Sequence, residues 1–122
     1  MPAMDRARFE QLVAEAIDTL PEDFRSRMDN VAIIVEDYPS PREARRFARG
    51  RLLLGLYQGH PLTRRDSRYG LAFPDKITIY QANIESICRT DAEVRDQVRK
   101  TVLHEIAHHF GIDDHRLRDL GY

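Results

Sequence analysis

The stretch TVLHEIAHHFGIDDHRL, residues 101–117, contains four of the five histidines in this 122-residue chain. It completes the strongest helical pattern in the sequence, in which apolar residues recur at every fourth position: Val94, Val98, Val102 and Ile106. Thr90 and Glu93 have the spacing of a capping box, and Gly111 suits a left-handed C-terminal cap. The pattern therefore predicts a helix from about residue 91 to residue 110.

Two of the histidines face the same way on this helix. His104 and His108 are four residues apart, so their imidazoles project from one face, where both can reach a single metal ion at ~2.0–2.1 Å. Glu105 lies about 100° round the helix from His104, where a general base belongs. A catalytic zinc site needs a third protein ligand and an open fourth position. Gly111 lets the chain turn back, and Asp114 follows as the candidate third ligand.

The remaining acidic and histidine side chains of this stretch are weaker candidates. Asp113 and His115 are each one residue out of register with Asp114, and they stay as alternative ligands. His109 faces away from the histidine pair, which favours a structural role for it. The sequence therefore predicts a three-ligand metal site of His104, His108 and Asp114.

Together these residues form the pattern HExxHxxGxxD, which resembles the zincin metallopeptidases, specifically the variant with aspartate in place of the third histidine. The likeness extends to LLLGLYQGHPLTRRDS (residues 52–67) and FPDKITIYQANIE (residues 73–85). These segments are similar to a small bacterial family of single-domain zincin-like metallopeptidases, over about residues 20–122.

The resemblance implies both a fold and an activity. The fold is α+β and minimal zincin-like, with a small mixed sheet packed against an N-terminal helix and the C-terminal helix that carries the motif. An edge strand lines the cleft, and KITIY (residues 76–80) is the candidate for it. The activity is hydrolysis of a peptide or protein substrate with one Zn²⁺ per chain and Glu105 as the catalytic base. Larger zincins place a methionine beneath the metal, but this chain has none after Met28, so its site needs another floor.

The rest of the chain is consistent with an α+β order. An amphipathic helix is predicted before Pro21 from one apolar stripe: Phe9, Leu12, Val13, Ala16, Ile17 and Leu20. Three stretches are predicted as strands: VAIIVE (31–36), RLLLGLYQG (51–59) and KITIY (76–80). Two stretches rich in turn residues are predicted as loops: DYPSPRE (37–43) and HPLTRRDSRYGLAFPD (60–75).

Composition limits the class of protein. The length fits one domain over residues 1–122, and a lone cysteine, Cys88, cannot form an intrachain disulfide. We expect Cys88 to be a small buried apolar residue. No signal sequence and no membrane-spanning run is visible, so we expect a cytoplasmic protein with no membrane association. The oligomeric state is left open.

Two other functions remain as alternatives. A family of metal-dependent endoribonucleases also spaces three ligands as His104, His108 and Asp114 are spaced here, and the arginine-rich residues 42–51 and 64–68 would then contact RNA phosphates. Glu105 and Asp114 depart from that pattern. The other alternative is a non-catalytic interaction module that keeps a metal as a structural element, although structural zinc sites usually use four protein ligands.

Overall fold

The computed structural model describes residues 4–48, 50–59, 75–112 and 114–119. In chain order the elements are α1 (Arg6–Asp18), α2 (Glu22–Arg25), β1 (Val31–Glu36), α3 (Pro41–Glu43), β2 (Gly55–Gln58), β3 (Asp75–Tyr80), α4 (Gln81–Ser86), α5 (Asp91–Phe110) and α6 (Asp114–Asp119). A 3₁₀ turn, Ser26–Met28, follows α2, and a π-helical turn, Ala44–Ala48, continues α3.

Helix α5 carries the histidine-rich motif and has the predicted ends. The Thr90 hydroxyl accepts a hydrogen bond from the Glu93 N–H at 3.1 Å, which caps the first turn. Gly111 ends the helix with a φ of 67°, a left-handed conformation that glycine adopts without strain. Within the described part of the chain, no helix is long and apolar enough to cross a membrane.

The three described strands form one mixed sheet in the order β1-β3-β2. Strand β1 runs parallel to β3, with Val31 opposite Asp75, and β2 runs antiparallel to β3, with Gly55 opposite Ile79. This arrangement confirms the predicted α+β class with a small mixed sheet. The expectation that KITIY is an edge strand is wrong, because β3 is paired on both sides and β2 is the strand that faces α5.

The core lies between the sheet and the two long helices. The predicted stripe of α1 packs against the apolar ridge of α5, and β3 contributes Ile77 and Ile79 to the same cluster. Cys88 is also buried there, as expected, and burial raises the pKa of its thiol. These apolar side chains are fully buried: Phe9, Leu12, Ile77, Ile79, Val94, Val98, Val102 and Ile106. Removing them from water supplies the main driving force for this packing.

Some local structure differs from the expectation. DYPSPRE ends in a helix start and not a loop, because Ser40 accepts a hydrogen bond from the Glu43 N–H and Glu43 accepts one from the Ser40 N–H. This reciprocal capping box, with Pro41 in the first turn, begins α3. Of RLLLGLYQG only Gly55–Gln58 is a strand. The predicted loop 60–75 lies outside the described residues, apart from Asp75 at the start of β3.

Gly55 sets how closely α5 approaches the sheet. A Cβ atom at this position would lie 2.7 Å from Thr101 Cγ2 on α5 and 3.2 Å from the Thr78 carbonyl oxygen. Real Cβ atoms do not come this close to other heavy atoms, so a side chain here would push helix and strand apart. Gly55 therefore belongs to a close contact between backbone and helix, which is a common reason for glycine inside a strand.

We predict that Gly55→Ala lowers the free energy of unfolding by about 1 to 3 kcal/mol, the usual cost of overpacking a buried contact. Thr101→Ser removes the clashing methyl group and keeps the hydroxyl that accepts the Gln97 amide hydrogen bond. The double variant Gly55→Ala/Thr101→Ser should therefore be more stable than the sum of the single changes predicts. Urea unfolding of all four proteins measures this, and simple additivity would contradict the proposed clash.

Candidate functional site

His104 and His108 line the same cavity on the exposed side of α5. The cavity has a volume of about 330 Å³ and is also bordered by Gly111, Ile112 and Leu117. Both histidines are exposed to solvent, whereas the neighbouring ridge of the same helix is buried. The structure thus brings the two predicted imidazole ligands to one cavity, as their spacing indicates.

The chain returns to this cavity immediately after α5. The Ile112 N–H donates to the Ala107 carbonyl at 2.8 Å, which closes the turn at Gly111. Helix α6 then begins at Asp114, and its Leu117 packs into the core with only 4% of its surface exposed.

A second contact ties α6 to the body of the protein. The Arg116 guanidinium donates two hydrogen bonds to the Asp23 carboxylate, both at 3.1 Å. Arg116 thereby lowers the pKa of Asp23. This ion pair with two hydrogen bonds and the buried Leu117 hold the middle of α6 in place. The candidate ligand Asp114 is the first residue of this helix.

The donor chemistry here fits a zinc ion. Two neutral imidazoles four residues apart on a helix are typical zinc ligands, and they need at least one further donor. Among residues 4–48, 50–59, 75–112 and 115–119, no three His, Cys, Asp or Glu side chains form a metal-binding group. The Asp114 side chain and all of Asp113 lie outside the described residues. His115 is exposed, with its Nε2 atom 3.9 Å from the Asp119 carboxylate on the same helix.

Glu105 does not line the cavity that His104 and His108 share. Its side chain lies against strand β2. Its Oε1 atom accepts a hydrogen bond from the Tyr57 backbone N–H at 2.9 Å. Burial raises the pKa of Glu105, while the hydrogen bond from Tyr57 and the nearby His108 oppose this shift. A half-buried carboxylate is a stronger proton acceptor than an exposed one, and here its orientation is fixed by the strand.

Tyr57 is a site residue that sequence reasoning missed. Its hydroxyl donates to the Asp75 carboxylate at 2.7 Å, and its ring stacks on the His109 imidazole with the ring centres 3.9 Å apart. Phe110 packs edge-on against His109 at 4.8 Å. The interpretation of His109 as structural agrees with this stacking. Only the strand pairing brings Tyr57 near the helix, and the sequence carries no local signal for that.

Tyrosine hydroxyls are further candidates, as groups that could stabilise negative charge on a reacting oxygen. The sequence offers Tyr69, Tyr80 and Tyr122 for this role with no basis for choosing among them, and of the three only Tyr80 lies within the described residues. Tyr80 is fully buried, and its hydroxyl donates to Glu43 at 3.2 Å. Its hydroxyl is thus engaged by Glu43 of α3. Burial and Glu43 raise the pKa of Tyr80, and Glu105 is near enough to contribute to this rise.

Comparison with known proteins agrees with this arrangement. A family model described as zincin-like metallopeptidase matches residues 28–122. The chain belongs to this family. At the level of the family, membership supports a metallopeptidase, which is a hydrolase, and zinc as its metal.

A solved structure extends the comparison at the level of the fold. A conserved hypothetical protein from Thermo thermophilus is similar with a TM-score of 0.55 and 24% identity, over 88% of this chain and 94% of that one. This likeness concerns the fold alone. The comparison with curated proteins gives no significant match.

We predict that Tyr57→Phe lowers the free energy of unfolding by about 1 to 3 kcal/mol, because the Asp75 carboxylate loses a hydrogen-bond donor. The backbone N–H that contacts Glu105 is unchanged, so zinc content should stay the same. Asp75→Ala alone and combined with Tyr57→Phe completes a double-mutant cycle by urea unfolding. A coupling energy near zero would show that the hydroxyl contributes nothing through Asp75.

Proposed function

We propose that this chain is a zinc-dependent peptidase in which Glu105 is the general base and His104, His108 and Asp114 hold the metal. The observation that carries the proposal is the position of Glu105. Glu105 directly follows His104 in the motif. Its side chain lines a cavity with His108 and is hydrogen-bonded to strand β2 beside that cavity. The family membership supports the same reaction class.

The chemistry that zinc supplies when bound is Lewis acidity towards a water molecule and a peptide carbonyl. The work of the protein is to position donors and to move protons. Glu105 accepts a proton from the attacking water and later gives it to the leaving amine. Its raised pKa and its fixed orientation suit both steps, because the same carboxylate must take up and release one proton.

Strand β2 is suited to hold an extended peptide. Leu56 faces Thr78 in the ladder with β3, whereas the Tyr57 N–H points away from β3, towards Glu105. In an antiparallel ladder alternate residues direct their backbone groups outward, so Gly55 and Tyr57 share this outward side. A substrate backbone added along that side would lie over Glu105 and would compete with it for the Tyr57 N–H.

The floor of the site is built without a methionine. Ile112 and Leu117 border the cavity that His104 and His108 share, and both come from the segment that returns after Gly111. We assign to the residues after α5 the place that a methionine turn holds in longer zincins. This arrangement supports a minimal version of the family site in which one turn and one short helix complete the cavity.

We predict that the purified protein binds about one zinc per chain and that Asp114→Ala lowers zinc affinity roughly tenfold or more, because it removes one of three ligands. His115→Ala is the matched control and should change affinity little, since that side chain is exposed. Competition with a zinc-binding dye, together with elemental analysis, measures both. A larger effect of His115→Ala would show that the chain re-enters the site one residue later.

We predict that Glu105→Gln lowers peptide hydrolysis by ~10² to 10⁴, the usual contribution of a general base. The glutamine amide oxygen can accept the same hydrogen bond from Tyr57, so zinc content and unfolding midpoint should remain near those of the unmodified protein. Zinc content, urea unfolding and hydrolysis of a fluorogenic peptide library are measured on one preparation.

The same variant separates the alternatives. An endoribonuclease of the rival kind would retain RNA cleavage in Glu105→Gln. An interaction module would show no hydrolysis in either protein and an unchanged zinc content. Full peptidase activity in the variant would contradict the role of Glu105.

A further inference from the structure

A single cleft runs along α5 on both sides of Glu105. One cavity of about 510 Å³ extends towards His108, and a second of about 300 Å³ extends towards His104. Phe47, Leu53 and Glu105 line both cavities. The two cavities are therefore the ends of one cleft, with Glu105 where they meet.

The two ends of this cleft are positively charged. Arg46 lines the larger end, and Arg51 and Lys100 line the smaller end. Glu105 is the one acidic side chain among the described residues that line either end. The charge order along the described cleft is thus positive, negative, positive.

Among the described carboxylates, none forms an ion pair with these cations. Within the described residues, the ion pairs closer than 4.0 Å do not include Arg46, Arg51 or Lys100. For Arg46 the acidic residue closest in sequence is Glu43, which accepts hydrogen bonds from Ser40 and Tyr80 and borders a third cavity together with Arg46. Cations in a concave site with apolar walls concentrate the local field and attract anionic ligands.

We propose that the cleft selects peptides with acidic side chains on both sides of a neutral central segment. This inference rests on the proposed peptidase function and names its substrate class. The neutral residues lie over Glu105, between Phe47 and Leu53, the apolar side chains that line both cavities. The flanking carboxylates lie near Arg46 at one end and near Arg51 and Lys100 at the other.

The same charges could attract RNA, but the apolar middle of the cleft favours a peptide. A nucleic-acid strand carries a phosphate at every nucleotide, so one phosphate would lie against the apolar Phe47 and Leu53 side chains where the two cavities meet. A peptide carries charge only where its sequence places it. The cleft also borders strand β2, where an extended peptide can pair by replacing Glu105 as the partner of the Tyr57 N–H.

Binding can be tested separately from cleavage. The probe is the acetylated and amidated hexapeptide Glu-Glu-Ala-Leu-Glu-Glu, titrated calorimetrically into the zinc-loaded protein, with mass spectrometry to check that it stays intact. Matched peptides carry Gln for Glu on the first side, on the second side or on both. We expect the fully acidic peptide to bind roughly tenfold tighter than the neutral one at low salt, and the difference to shrink in 0.5 M NaCl, which is about the range where surface charges are screened.

Charge-removing variants assign the two ends. Two of the peptides are acidic on one side only. Arg46→Gln should weaken binding of one of these two peptides, and the pair Arg51→Gln/Lys100→Gln should weaken binding of the other. Arg45→Gln is the matched control, because Arg45 is exposed on the same π-helical turn but lines neither end of the cleft. Arg46→Lys keeps the charge and should restore most of the affinity. A general loss of structure would not produce this crossed pattern.

The outcomes separate this inference from the peptidase proposal. Equal affinity for acidic and neutral peptides, or tighter binding of a single-stranded RNA hexamer, would overturn the inference. So would preferred cleavage of neutral peptides, although the peptidase proposal would then stand. Acid-selective, crossed binding without any hydrolysis would support the cleft assignment and count against the peptidase function.

Discussion

The arrangement of the site depends on the close contact between helix α5 and strand β2. Gly55 allows Thr101 to approach the strand to a distance that any larger residue would prevent. One turn further along the helix, Glu105 reaches the Tyr57 N–H, so the helix and the strand are joined by a hydrogen bond at the motif itself. If the helix moved outward by the width of a methyl group, Glu105 would lose this partner. A packing constraint at a glycine therefore controls the orientation of a polar side chain in the motif.

This contact also explains the character of Glu105. A fully buried carboxylate would become neutral, whereas an exposed one would be a weak base with a mobile side chain. The strand partly covers Glu105, which raises its pKa, and also supplies one hydrogen bond that favours its ionised form. Tyr57 is itself held by His109 and Asp75, so the N–H that orients Glu105 belongs to a fixed residue. The second histidine of the sequence pair His108–His109 thus supports the base indirectly, through Tyr57.

Local signals in the sequence predicted the two long helices and the place of three strands, but not the four short helices, and the pairing of the strands could not be read from it. Helix α5 was predictable because its cap, apolar ridge and terminal glycine all agree, and β1 matches its predicted bounds. The start of α3 was missed although Ser40 and Glu43 have capping-box spacing, because the surrounding prolines favoured a loop. The central place of β3 and the contact of Tyr57 with Glu105 depend on which strands pair, which is a non-local property. The motif spacing predicted a common cavity for His104 and His108, while the role of Asp114 stays a prediction.

The effect of the arginine-rich segment, residues 42–51, depends on where the fold places each arginine. The whole chain has a net charge of −1, so its overall field does not favour anionic partners. The capping box at Ser40 and the π-helical turn after it carry Arg46 to the cleft, while Arg45 on the same turn remains outside it. In the sequence, this cluster of arginines suggested contacts with RNA. The fold divides it between the cleft and the outer surface. Among the described arginines, Arg46 and Arg51 line the cleft with Glu105. Selectivity for acidic substrates would therefore arise from a local field that is screened beyond about 8 Å, and it would persist in a protein that is nearly neutral overall.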